Sequence, residues 1–110
     1  VTSKLIRDGF VAVLYSPGYG AGWSTWCVGD QRMSMLFDPQ IADIVDRGGE
    51  TWPDQAEAIA RVKYPDAYFN INGLKNLRVC WIESGTRFRV TEYDGDESIE
   101  IISELDWITA

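Results

Sequence analysis

The chain has 110 residues, with seventeen acidic and ten basic side chains giving a net charge of −7, no histidine and two cysteines. That length fits one domain with enough interior to fold without metal or disulfide staples. The acidic balance argues against phosphate-backbone binding, which needs clustered lysine and arginine. It fits a solvated surface or one aimed at a basic partner.

Leu5-Ile6 and Phe10 to Tyr15 read as two strands around the turn Arg7-Asp8-Gly9. The second is almost unbroken in its apolarity, as expected of a strand covered on both faces and central in its sheet. It runs into Ser16-Pro17-Gly18-Tyr19-Gly20-Ala21-Gly22-Trp23-Ser24-Thr25-Trp26, a stretch too long and too aromatic for a simple connection. Trp26-Cys27-Val28 reads as a short strand before the Gly29-Asp30 turn. Asp38-Pro39 predicts a helix start, aspartate capping and proline in the first turn. Ile41, Ile44 and Val45 form its apolar face and Gly48-Gly49 stops it. Thr51 caps a second predicted helix reaching about Lys63, with a weaker stripe of Ala56, Ile59, Ala60 and Val62. After an Asn- and Gly-rich segment around Asn70 to Asn76, a β-meander is expected, with strands at Leu77 to Ile82, Thr86 to Tyr93 and Ser98 to Ile102. Asp94-Gly95 is a strong hairpin signal because both turn positions favour positive φ. Leu105, Trp107 and Ile108 are expected to pack the C-terminus onto the core.

The order of elements predicts one α+β domain over residues 1–110. It would be a mostly antiparallel sheet of about five strands with two helices packed on one face.

The Ser16 to Trp26 loop is the first candidate site. Its glycines let backbone approach a ligand, and its rings can stack on planar groups. It lacks the Lys-Ser or Lys-Thr of a phosphate loop, and its glycine spacing does not match a dinucleotide fingerprint. Tyr19, between Gly18 and Gly20, is the favoured ligand-facing ring. Trp23 is assigned to the ligand as well, while Trp26 fits plugging the core as well as facing a ligand. A pocket, a core plug and a subunit interface are all open readings of this loop.

The second candidate is the strand Thr86 to Tyr93. Alternation places Phe88, Val90 and Glu92 on one face and Arg87, Arg89, Thr91 and Tyr93 on the other. Glu92 therefore continues an apolar face, either as a solvated side chain or as a partly buried acid whose pKa rises unless a donor meets it. Arg87, Arg89 and Tyr93 suit an anionic ligand, or the arginines pair with Glu97 and Glu100 across the hairpin. The expected ligand-binding set is Ser16, Tyr19, Gly20, Trp23, Ser24, Arg87, Arg89, Glu92 and Tyr93.

Catalysis is not expected. Without histidine the usual general base is missing, and neither cysteine has a base partner. Cys27 and Cys80 lack metal-ligand spacing, so no metal or cofactor is expected and both read as reduced, buried thiols.

Taken together, Leu14 to Trp26, Leu36-Phe37-Asp38-Pro39, Gly85-Thr86-Arg87-Phe88 and Glu92-Tyr93-Asp94-Gly95 resemble a family of small phage and prophage proteins of unknown function. The resemblance carries no activity, cofactor or catalytic residue. It implies a phage accessory protein in the host bacterial cytoplasm, in line with the lack of a signal-like apolar core in Val1 to Asp8. The leading expectation is a non-catalytic protein binding a small planar or nucleotide-like ligand, with sequestration of a host immune signal as its role. Neither direct nucleic-acid nor membrane binding is expected, and a homo-oligomer is compatible with the aromatic content. The alternative is an acidic inhibitor of a basic host defence or nucleic-acid-binding protein, motivated by the charge and by Glu92, Asp94, Asp96, Glu97 and Glu100. A small enzyme using Glu92 as acid or base ranks third.

Overall fold

The computed structural model describes residues 2–18, 20, 22–27, 30–65, 67 and 71–102. Along the chain lie β1 (Ile6–Arg7), β2 (Phe10–Tyr15), a 3-10 turn (Ser24–Trp26), α1 (Arg32–Phe37) and α2 (Pro39–Arg47). Then follow α3 (Trp52–Lys63), α4 (Ile71–Lys75), β3 (Arg78–Glu83), β4 (Arg87–Tyr93) and β5 (Asp96–Ile102). The fold is α+β with five antiparallel strands, divided into a three-stranded sheet ordered β1-β2-β3 and a separate ribbon β4-β5.

β2 is the central strand, as its apolarity predicts. Ala12 and Leu14 face a core built with Trp23, Met35, Ile41, Ala56, Ala60 and Leu74. Val11 and Val13 face the opposite way, into a second core with Leu36, Phe37 and Ile82. Covering both faces explains why the strand shows no polar alternation. Asp8 and Gly9 have φ of 51° and 83°, the paired left-handed conformation of a tight β1–β2 hairpin turn.

α2 begins as expected: the Asp38 carboxylate accepts from the Gln40 and Ile41 amides, both at 3.0 Å. It ends at Gly48, whose φ is 70°. Thr51 precedes α3 but makes no capping bond; its hydroxyl instead accepts from the Gln55 side-chain amide at 2.9 Å. The apolar stripe of α3 is narrower than expected. Ala56 and Ala60 are buried, Ile59 packs partly, and Val62 lies 82% exposed on the solvent side.

Three local expectations are corrected. Ser24–Trp26 forms a 3-10 turn and not the start of a strand at Trp26, because the loop backbone closes on itself through the Cys27 amide and the Ser24 carbonyl at 3.1 Å. The Asn- and Gly-rich segment contains α4, held inward by buried Leu74. β3 and β4 meet at a tight turn closed by the Thr86 amide and Glu83 carbonyl at 3.0 Å, yet among the described residues β4 pairs only with β5. The ribbon folds over the sheet so that Phe88, Val90 and Ile99 cover the second core. A flat meander would leave Val11, Val13 and Ile82 without that cover, and burying their apolar area outweighs the ladder bonds that a β3–β4 pairing would add. Phe88 meets Phe37 edge to face at 6.1 Å and 86°. The helices α2 and α3 thus pack on one face, with the ribbon on the other. Val28, Gly29, Tyr19, Leu105, Trp107 and Ile108 fall outside the described residues.

Candidate functional site

The two sequence candidates, loop and hairpin, meet. Asp94 and Gly95 turn the ribbon with φ of 53° and 87°. That turn sets the register, pairing Phe88 with Ile101, Val90 with Ile99 and Glu92 with Glu97 on one face. Two carboxylates therefore extend the apolar face directly toward the Ser16 to Trp26 loop. Like charges opposite one another repel, so each needs its own set of donors.

Glu97 has such a set. Its side chain is buried at 1% exposure. One oxygen accepts from the Ser16 amide at 2.9 Å. The other accepts from the Trp23 amide at 2.8 Å, the Thr25 amide at 3.0 Å and the Thr25 hydroxyl at 2.5 Å. In return the Glu97 amide donates to the Ser16 carbonyl at 3.0 Å. Short bonds to a carboxylate are the strong class of hydrogen bond, and three convergent amides form an anion nest. The nest that glycine-rich backbone offers is filled by the chain's own side chain.

Around this staple the loop is pinned from several sides. Gly18 donates to the Asp96 carboxylate at 2.7 Å, and Gly20 to the Asp94 carbonyl at 2.6 Å. The Ser16 hydroxyl donates to the Gly73 carbonyl at 2.7 Å, tying the loop to α4. Gly22 lies beneath Trp26: a Cβ there would stand 2.6 Å from the ring, and its φ of 95° disfavours any side chain. The Trp26 indole donates to Glu92 at 3.1 Å, on the oxygen that also accepts from the Gly95 amide at 2.6 Å.

The expected site residues divide into groups that this geometry keeps apart. Ser16, Trp23 and Ser24 are buried. Trp23 plugs the core, its indole N–H donating to the Met35 carbonyl at 2.9 Å, so its face is not open to an incoming ring. Glu92 is exposed on the loop side of the ribbon, while Arg87, Arg89 and Tyr93 are exposed on the other side. Gly20 is exposed at the rim, and Tyr19 lies outside the described residues. Arg89 pairs with Glu100 at 2.7 Å, one of the two pairings anticipated; Glu97 takes no part in the other. Of the two readings of Glu92, the solvated side chain is the one found. The Gly95 amide, and secondarily the Trp26 indole, hold its carboxyl below the usual range.

A second polar cluster is not legible in the sequence beyond its cap. Asp38, 2% exposed, accepts from the Tyr64 hydroxyl at 2.5 Å and from the Lys63 ammonium at 3.1 Å, besides its two amide bonds. Burial first, then the bond to Asp38 and its charge, push the Tyr64 phenol well above its ordinary value. A cleft of about 490 Å³ opens here, lined by Ser3, Ser34, Gln40 and Lys63 among others. Every buried polar side-chain atom among the described residues has a partner, so this cluster locks α2 to the end of α3. Burial likewise pushes the Cys27 and Cys80 thiols up, which leaves them poor nucleophiles.

What fold and junction define is an α+β domain whose aromatic loop is clamped by an internal carboxylate. Comparison with protein-family models, with characterised proteins and with solved structures gave no match. No helix among the described residues is long and apolar enough to cross a membrane.

Proposed function

We propose that this chain is a non-catalytic binding protein that occupies a basic surface of a partner protein. The observation that carries this reading is the Glu97 staple. The loop's inward amides and Trp23 are committed to the interior, which leaves a rigid junction under an acidic exterior of net charge −7. For a planar or nucleotide-like ligand, Ser16, Trp23 and Ser24 are buried and Glu92 faces away from Arg87, Arg89 and Tyr93 across the ribbon, so these residues do not form one open pocket. The phage-accessory context implied by the motifs fits a host protein as the partner.

The test is capture from bacterial lysate on the immobilised chain at low and high salt. A basic protein retained at low salt and released at high salt is expected, since screening acts on exposed charge pairs. No capture, or capture indifferent to salt, would overturn the proposal. Calorimetric titration with cyclic nucleotides and ADP-ribose derivatives is the companion experiment, and saturable heat there would move the assignment to a small ligand.

A further inference from the structure

The helix-facing side of the sheet ends in an open cleft of about 460 Å³ lined by Arg7, Asp8, Phe10, Asp46 and Trp81. Phe10 is 42% exposed there, large for an aromatic ring in a small domain. Arg7 shows what this surface recognises. Its guanidinium lies 5.3 Å from the Trp81 ring centroid and donates to Asp43 at 2.7 Å and to Asp46 at 2.9 Å. The Trp81 indole donates to the other Asp46 oxygen at 3.2 Å, and Arg47 takes the second oxygen of Asp43 at 2.9 Å. Arg7 and Arg47 therefore balance Asp43 and Asp46.

Asp8 is left over. It sits in the β1–β2 turn at the lip of the cleft, exposed, with no cation partner among the described residues. A half-exposed aromatic wall beside an unmatched carboxylate is complementary to a flat cation with several donors. Guanidinium fits that description, because it stacks on rings and forks onto carboxylates, whereas an ammonium is a compact, strongly hydrated point charge.

We infer that the cleft between Phe10, Trp81 and Asp8 docks an arginine side chain from a basic segment of the partner protein. This rests on the interaction reading above and names the surface that reading uses.

The experiment is an amide and indole N–H NMR titration of the full chain with a short arginine-rich peptide and its lysine counterpart. Asp8→Asn is the companion variant, chosen because asparagine tolerates the left-handed turn conformation. The Trp81 indole signal, assigned by its loss in Trp81→Phe, is expected to shift saturably with the arginine peptide. Binding of the lysine peptide should be weaker, and Asp8→Asn should weaken the arginine peptide about two- to five-fold, the range of an exposed cation–π or ion-pair contribution. A static Trp81 signal, equal response to both peptides, or an unaffected Asp8→Asn variant overturns the proposal. The two readings fail separately. A salt-sensitive partner that binds without moving the Trp81 signal removes this cleft and leaves the interaction function. A lysate without such a partner removes the function, whatever the peptides do.

Discussion

Replacing Glu97 by alanine removes the carboxylate that accepts from the Ser16, Trp23 and Thr25 amides. Ser16 and Trp23 are fully buried and Thr25 is half-buried, so water does not simply take over. An unsatisfied buried donor costs about 1–3 kcal/mol. Two such amides and part of a third give a loss of about 3–6 kcal/mol, set against the roughly 5–15 kcal/mol total stability of a domain. Glu97→Ala should therefore leave a marginal protein, with its melting temperature lowered by more than about 10 °C. Glu97→Gln keeps the shape and one oxygen but turns an N–H₂ group toward donors and loses the charge, for a smaller loss of about 2–3 kcal/mol. Urea unfolding followed by circular dichroism measures both. Acetate or formate should partly restore Glu97→Ala by entering the vacated nest, whereas chloride at equal ionic strength should not. If Glu97→Ala unfolds within about 0.5 kcal/mol of the parent chain, the staple does not hold the loop and the reasoning fails.

Gly22→Ala should be destabilised by more than about 1 kcal/mol, from both the positive φ and the contact with Trp26, and tryptophan fluorescence should report a displaced ring; an unchanged spectrum and melting curve would contradict the packing of Gly22 under that ring. Tyr64→Phe removes a bond to the Asp38 carboxylate at the start of α2 and should cost about 1.5–3 kcal/mol by thermal unfolding near neutral pH. Because the Tyr64 pKa is raised in the folded state, its stabilisation is full below the unfolded phenol value of about 10 and lost above it, so the parent chain should weaken in alkali more steeply than Tyr64→Phe. Glu92 has the opposite sign: its folded pKa is lowered, so its contribution is present above the ordinary carboxylate value of about 4.3 and lost on acidification below it. Glu92→Gln should therefore flatten the acid limb of the stability curve in that window, seen as a smaller pH dependence of the urea midpoint.

What could be read from the sequence follows from how local each signal is. β2 announced itself because burial on two faces erases alternation, and the Asp8-Gly9 and Asp94-Gly95 turns because few residues accept paired positive φ. Asp38-Pro39 marked α2 by chemistry confined to four residues. α1 and α4 span only six and five residues, too short for a periodic pattern, and hold their shape by burying Met35, Leu36, Phe37 and Leu74. The separation of β4 from β3 was likewise decided at a distance, by a face of β2 that needed covering.

Glu97 is the instructive miss. A glutamate beside a hairpin turn reads as a surface ion-pair partner for Arg87 and Arg89, whereas its actual partners lie 72 to 81 residues away in the chain. The means of finding it were nevertheless present. An Asp-Gly hairpin fixes its own register, and that register pairs Glu97 with Glu92, already recognised on the face of Phe88 and Val90. Two acids side by side on a core-facing surface demand donors. Among nearby candidates, only a backbone rich in glycine can turn several amides onto one point without side chains in the way. The glycines of the loop, read alone as room for a ligand, thus serve the chain's own carboxylate, and the docking surface proposed above falls where side chains remain unmatched, at Asp8 and Phe10.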